Sequence, residues 1–256
     1  MPSPSYLELT AVNSVARRIA YHKTDAGGEG ETQPGVVFLG GFKSDMEGSK
    51  ALHLEAWAKA TGRQFLRFDY RGHGQSSDEF ENGCIGDWAD DAVEAISRLT
   101  TGPQILIGSS MGGWISLLVS RVLRPRIAAF IGIAAAPDFT EGGMWAEMSE
   151  AERETLMEEG RIERPSEYSD EPYVFTKKLI EDGRDHLVLR SPVSFAGPVR
   201  LLQGTADADV STETALRLLD HIEGPDVRLT LVQGADHRFS GERELVLLIE
   251  TVEAVS

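Results

Sequence analysis

Short β-branched and aliphatic runs alternate along this chain with longer stretches whose apolar positions return every three or four residues. That alternation predicts a parallel sheet wrapped by helices. The strand candidates are Tyr6 to Val12, Arg17 to His22, Val36 to Leu39, Gln64 to Asp69, Gln104 to Ile107, Ala128 to Ile133, Val199 to Gln203 and Arg228 to Val232. Several are almost wholly apolar, as strands covered on both faces should be. The first two are expected to form an edge pair. The clearest helical stripe is Ile85, Trp88, Ala89, Ala92, Val93, Ile96 and Leu99. A second, at the C-terminus, joins Leu245, Leu248, Ile249, Val252 and Val255, with Ser240 as the expected cap of its first turn. Both stripes are read as core faces packed on the sheet.

From Asp138 to Leu189 the texture changes: strand signals fade, acidic residues crowd together and helix punctuation takes over. Ser149 with Glu152 has the form of a capping box ahead of a helix over Ala151 to Glu159, which Gly160 would stop. A second helix is expected to follow Pro172 and to end near Gly183. The strand pattern resumes after Pro192. The expected fold class is therefore α/β: a mostly parallel, doubly wound, eight-stranded sheet formed by residues 1–137 and 191–256, with residues 138–190 inserted as a small helical cap.

Composition narrows the class of partner. The chain has 256 residues, 41% hydrophobic, 26% charged and 7% aromatic, enough for a sizeable buried core and unlike a disordered or fibrous sequence. A net charge of -16 would be repelled by phosphate backbones and anionic lipid, so nucleic-acid and membrane-surface roles are disfavoured. The one cysteine, Cys84, allows neither an intrachain disulfide nor a paired-thiol metal site and fits a reducing compartment. The opening residues have no basic segment leading into an apolar run, and the longest apolar stretch, Ile127 to Ala136, is too short to span a bilayer. A cytoplasmic location is expected, and the oligomeric state is left open.

The strand Gln104 to Ile107 runs into Gly108, Ser109, Ser110, Met111 and Gly112, a GxSxG pattern followed by the helical run Trp114 to Val122. Random placement would give this pattern in roughly 0.2 of chains of this length, so context must carry it. A strand-to-helix turn sharp enough to expose its central side chain needs small neighbours two residues away, and Ser110 holds that centre. Taken alone, the same residues would suit an ordinary helix cap. A serine nucleophile also needs a histidine to take its proton and an acid to orient the histidine, expected in that chain order on loops after late strands. Asp207 follows Val199 to Gln203, and His237 follows Arg228 to Val232. Asp209 shares the first loop and competes for the acid role, whereas Asp236 is read as loop-shaping or exposed. His22, His53 and His221 fit structural or surface positions.

One oxyanion donor should be the N–H of Met111, at the helix start, and the second the N–H of Phe42, after Gly40 and Gly41. A plain tight turn would look the same at Gly40 and Gly41. His73, within Asp69 to Ser76, is read as part of a loop ordered by polar side chains. No metal-ligand spacing and no nucleotide-binding glycine motif appears, and no cofactor or metal is expected.

With those residues in place, the chain resembles the α/β-hydrolase superfamily over nearly its whole length. RFDYRGHGQSS (Arg67 to Ser77), GSSMGGW (Gly108 to Trp114), PSEYSDEPY (Pro165 to Tyr173), GTADADVS (Gly204 to Ser211) and ADHR (Ala235 to Arg238) together resemble one branch. That branch is the family of mitochondrial palmitoyl-protein thioesterases that also cleave acyl glucuronides, with its bacterial relatives. The resemblance implies Ser110, Asp207 and His237 as the triad and Phe42 and Met111 as oxyanion donors. Mitochondrial members carry a transit segment, whereas the first strand candidate here begins close to Met1, which implies a bacterial or otherwise cytoplasmic relative.

The activity expected is a cofactor-independent serine esterase or thioesterase acting on a small acyl ester or thioester. Trp145, Met148, Leu156, Met157 and Phe175 are the candidate acyl-group contacts, although cap helices packing on the sheet would use the same residues. The same triad could serve carbon–carbon bond hydrolysis or cofactor-free perhydrolysis, and the fold could serve as a small-molecule receptor. Serine at the elbow disfavours dehalogenation, which wants a carboxylate there.

Overall fold

A computed structural model describes residues 3–12, 15–165 and 172–256. The strands in chain order are β1 (Ser5–Val12), β2 (Val15–Thr24), β3 (Gly35–Leu39), β4 (Phe65–Phe68), β5 (Gln104–Ser109), β6 (Ile127–Ile133), β7 (Arg161–Arg164), β8 (Tyr173–Thr176), β9 (Val193–Ser194), β10 (Val199–Gly204), β11 (Ile222–Glu223) and β12 (Val227–Val232). The helices are α1 (Ser49–Thr61), α2 (Ile85–Leu99), α3 (Met111–Val122), α4 (Glu150–Glu159), α5 (Lys177–Asp185), α6 (Thr212–His221) and α7 (Glu242–Ala254). No helix among the described residues is long and apolar enough to cross a membrane.

The main sheet has eight strands in the order β1-β2-β4-β3-β5-β6-β10-β12. β1 and β2 form the expected edge pair and run antiparallel, β2 meets β4 antiparallel, and every pairing from β4 to β12 is parallel. The period-2 geometry of strands divides the core in two. Val37, Leu39, Leu66, Phe68 and Leu106 face a layer holding α2 and α3, while Val36, Phe38, Phe65, Ile105 and Ile107 face α1 and α7. Burial on both faces explains why these strands read as continuous apolar runs. The predicted α2 stripe packs as expected, with Ile85, Trp88, Ala92 and Ile96 fully buried.

Two expectations about helix ends are corrected. α7 begins at Glu242 with Gly241 as its cap residue, not Ser240, and no side chain caps it; Glu242 and Glu244 instead place negative charge at its positive end. The segment after Pro172 is not helix but β8, which pairs antiparallel with β7, Ile162 facing Phe175. Aromatic and β-branched Tyr173, Val174, Phe175 and Thr176 favour a strand, and the helix starts only where the Thr176 side chain accepts the Leu179 N–H. Gly183 lies inside α5 and ends nothing: it permits close packing, since a Cβ there would sit 2.2 Å from Thr140 Oγ1. The α4 capping box of Ser149 and Glu152 and the left-handed exit at Gly160 form as expected. Of the Pro165 to Tyr173 motif, residues 166–171 lie outside the described residues.

The stretch between β6 and β10 thus carries a π-helical turn at Thr140–Trp145, α4, the β7–β8 hairpin and α5. Its own apolar cluster joins Met148, Leu156, Ile162, Phe175 and Ile180. Asp138, at φ 59, ties the two ends of the stretch together: its carboxylate accepts the Val188 N–H at 2.7 Å and the Leu189 N–H at 2.9 Å. α5 is tied to the start of α2, where Asp182 accepts the Gly86 N–H and Lys178 pairs with Asp87 at 2.6 Å. Beside that pair the buried Cys84 thiol donates to Asp87 at 3.1 Å, and burial pushes its pKa up to about 12.

Removing the Asp138 carboxylate leaves two buried N–H groups without their acceptor. Asp138→Ala should lower the unfolding free energy by about 3 kcal/mol, read from urea denaturation. Asp138→Asn, which keeps one acceptor and tolerates left-handed backbone, should lose about half of that. Equal midpoints for wild type and Asp138→Ala would contradict the clamp.

Candidate active site

Ser110 sits between β5 and α3 at φ 53 and ψ -119, a conformation that costs a non-glycine residue on the order of 1–3 kcal/mol and persists only where the surroundings enforce it. They do so through close packing. A Cβ on Gly112 would lie 2.1 Å from the Leu39 carbonyl oxygen, and one on Gly108 would lie 2.3 Å from the Gly112 oxygen. The Ser110 N–H donates to the Ile133 carbonyl at 2.9 Å, and the Ser110 carbonyl accepts from Gly113 and Ala136. The turn is therefore pinned to the ends of β3 and β6, and the hydroxyl is left partly exposed at the carboxyl edge of the sheet.

Asp207, after β10, and His237, after β12, reach the same edge. His237 Nε2 lies 3.2 Å from Ser110 Oγ, and His237 Nδ1 lies 3.1 Å and 3.0 Å from the two Asp207 oxygens. Burial pushes the Asp207 pKa up, but hydrogen bonds from His237, the Val210 N–H and Gln203 outweigh it and hold the carboxyl below its ordinary value. Asp209 lies on the same loop: its N–H donates to Asp207 at 2.9 Å, and its side chain lines the cavity described below. Asp236 accepts the Phe239 N–H, a loop-shaping contact. Arg238, which follows His237, accepts a hydrogen bond from the Lys50 ammonium through its carbonyl; burial lowers the Lys50 pKa to about 8. Asp207, Asp209 and His237 can each place a ligand atom within 4.8 Å of the others, but both ring nitrogens of His237 are already engaged in the relay.

The relay opens on a cavity of about 530 Å³ lined by both the sheet edge and the inserted stretch. Gly40, Gly41 and Phe42 form one wall beside Ser110. The N–H of Met111, as the first helical residue, has no intrahelical acceptor. Neither it nor the Phe42 N–H donates to a protein carbonyl in the turns and loops of the described residues. Among the candidate acyl contacts, Phe175 lines the cavity. Met148 and Leu156 are buried in the cluster beneath it, Trp145 packs at the edge of that cluster with the Arg153 and Arg184 guanidinium groups over its ring, and Met157 is exposed. Sequence reasoning missed Phe139, Met144 and Tyr173, which complete the apolar wall. Tyr173 alternates with Phe175 on a strand, a signal hidden by reading that segment as helix. It also missed the tie between His73 and the Phe42 loop, where His73 Nε2 accepts the Lys43 N–H at 3.2 Å.

The comparisons with known proteins agree with this architecture. The alpha/beta hydrolase family model matches residues 36–247. The mitochondrial palmitoyl-protein thioesterase ABHD10 of Mus musculus is 37% identical over 222 residues, 86% of this chain and 74% of that protein. The Homo sapiens protein of the same name is 36% identical over 222 residues, 86% of this chain and 72% of that protein. Among solved structures, a presumed hydrolase from Agrobacterium vitis S4 superposes with a TM-score of 0.94 at 37% identity, covering 100% of this chain and 99% of the other. Mouse alpha/beta hydrolase domain-containing protein 10 superposes with a TM-score of 0.87 at 31% identity, covering 98% of each chain.

The close packing of the serine turn gives a direct test. Gly112→Ala should cost about 3 kcal/mol or more in urea unfolding, because backbone and not a flexible side chain occupies the space. Gly142→Ala, where a Cβ would meet nothing within 4 Å, should stay within about 0.5 kcal/mol of wild type. Comparable midpoints for the two variants would refute the packing argument.

Proposed function

The chain belongs to the alpha/beta hydrolase family, and we propose that it is a serine hydrolase that cleaves carboxylic esters or thioesters through an acyl-enzyme on Ser110. The observation that carries this reading is the Ser110, His237 and Asp207 relay, with contacts of 3.2 Å and 3.0 Å, facing a largely apolar cavity. His237 Nε2 takes the Ser110 proton as Oγ bonds to the acyl carbon and the carbonyl electron pair moves to oxygen. Phe42 N–H and Met111 N–H stabilise that oxyanion, each contributing about 3 kcal/mol to lowering the barrier. Collapse of the intermediate expels the alkoxide or thiolate, which leaves with the proton from His237. A water then loses its proton to His237, attacks the acyl-enzyme and releases the carboxylic acid, returning Ser110 to its hydroxyl form.

Residues 138–190 act in this reading as a cap over the sheet, and Phe139, Met144, Tyr173 and Phe175 receive the acyl group. Aromatic rings and an adaptable Met thioether suit an alkyl chain. The thioesterase names of the mammalian relatives support a thiol leaving group as well as an alcohol. A net charge of -16 argues against a polyanionic partner. The proposed location is the cytoplasm, which suits a single unpaired thiol; the mammalian relatives are named as mitochondrial.

Two experiments test the roles. On p-nitrophenyl esters, acyl-CoAs and acyl glucuronides, Ser110→Ala should lose all turnover accepted by wild type, and a fluorophosphonate probe should label wild type alone. Turnover surviving in Ser110→Ala would move the nucleophile elsewhere. Asp207→Asn should lower kcat by about 10²–10⁴-fold, because the histidine loses the partner that fixes its tautomer, while Asp209→Ala should stay within about threefold of wild type. The reverse order of effects would transfer the acid role to Asp209.

A further inference from the structure

The Phe42 loop is braced from outside the catalytic relay. Lys43 has φ 57, an uncommon conformation for a long L side chain. Its N–H donates at 3.2 Å to His73 Nε2 on the neighbouring loop after β4, while the Tyr70 hydroxyl donates to the Gly40 carbonyl at 3.4 Å. The backward bend at Lys43 returns the chain so that the Ser44 hydroxyl donates to the Gly41 carbonyl at 2.9 Å and the Ser44 N–H donates to the same oxygen at 3.3 Å. The Gly41 carbonyl and the Phe42 N–H belong to one planar peptide unit and point opposite ways. Holding the Gly41 oxygen against Ser44 therefore turns the Phe42 N–H away from Ser44.

His73 is built to accept rather than donate at Nε2. Its Nδ1–H donates to the Arg71 carbonyl at 3.1 Å, which leaves Nε2 as the lone-pair atom of a neutral ring. The ring is 3% exposed and is met edge-on by Tyr70, Phe80 and Trp88 at 5.1–5.5 Å. Burial pushes its pKa down to about 4, so it remains a neutral acceptor at neutral pH. The Trp88 indole N–H donates to the same Arg71 carbonyl, and fully buried Asp91 accepts the Arg71 N–H at 2.8 Å and its Nε at 3.0 Å. A line of contacts thus runs from Asp91 through Arg71 and His73 to Lys43.

We propose that His73 is a positioning residue for the oxyanion hole: by accepting the Lys43 N–H it holds the bend that aims the Phe42 N–H at the carbonyl oxygen of the substrate. The inference rests on Phe42 N–H as an oxyanion donor to a Ser110-bound substrate. His73 does not line the cavity, and its ring nitrogens are bonded to Lys43 and Arg71, so its loss should weaken transition-state stabilisation and leave ground-state binding in place.

The test compares His73→Met, which fills space without an acceptor, with His73→Gln, whose amide oxygen can reach the Nε2 position. kcat is expressed per Ser110 labelled to completion by fluorophosphonate, so loss of folded protein does not count as loss of rate. His73→Met should lower kcat about 10–100-fold, short of or equal to the loss of one donor, with KM within about threefold. His73→Gln should recover to within about threefold of wild type. Ser110-dependent turnover that His73→Met leaves within threefold, or equal losses in both variants, would overturn this inference and leave the hydrolase reading standing. Turnover that survives Ser110→Ala would overturn both. If His73→Met does not fold, the nitrogen NMR spectrum of the wild type decides: Nε2 unprotonated at neutral pH supports the brace, and Nε2 carrying the proton overturns it.

Discussion

The contact on which the site depends is a backbone crossing with no room for a side chain. The end of β3 and the first turn of α3 approach so closely that Gly112 faces the Leu39 carbonyl oxygen across a space where a Cβ would be 2.1 Å away. Because β3 and β5 are neighbours in the parallel sheet, this crossing sets the loop after one against the sharp turn after the other. Ser110 with its positive φ, the Met111 N–H at the start of α3 and the Phe42 loop come together for that reason. Strain at Ser110 is offset by the packing of β3 and β5, buried along their whole length, and of α3, buried from Met111 to Ser120.

The remaining two members of the relay arrive from the other half of the sheet. β10 and β12 end at the same edge, so loops after them can meet a side chain on the loop after β5 across sequence separations of 97 and 127 residues. Each loop is stiffened by hydrogen bonds of its own. Asp207 accepts from Gln203, Asp209 and Val210 as well as from His237, and the His237 loop is tied to α1 through Lys50 and the Arg238 carbonyl. Such arrangements hold catalytic groups near productive geometry by local hydrogen bonds. On the opposite flank, Arg17 and Arg71 converge on Asp91, a buried ionic cluster whose opposite charges are paired, as a low-dielectric interior requires.

Much of this was readable from residue pattern alone, and the reasons differ by element. The central strands were visible because burial on both faces makes them continuous runs such as Val36 to Leu39 and Gln104 to Ile107, whereas β12, exposed at Arg228, Thr230 and Leu231, was visible from its β-branched and aliphatic residues. The candidate relay was visible because GxSxG, GTADAD and ADHR each follow such a run in the expected order. The β7–β8 hairpin was hidden: four-residue strands carry little periodicity, and Pro172 suggested a helix start that Tyr173 to Thr176 do not make. Ser240 was misread as a cap because Gly241, the true one, has no side chain to announce it. The contact between His73 and Lys43 was invisible for a deeper reason. Its partner Lys43 is 30 residues away, and no spacing rule connects a ring nitrogen with a distant backbone N–H.

Cys84 carries a last implication for a catalyst whose products would include free thiols. A sulfhydryl whose pKa burial has pushed up to about 12 stays protonated at neutral pH, and only the thiolate exchanges with thioesters or disulfides. Sealed beside Asp87, the sulfur would be a poor trap for an acyl group and a poor partner for a mercaptan released by thioester cleavage. Under the proposed chemistry, that burial would guard the protein against acylation at the wrong atom.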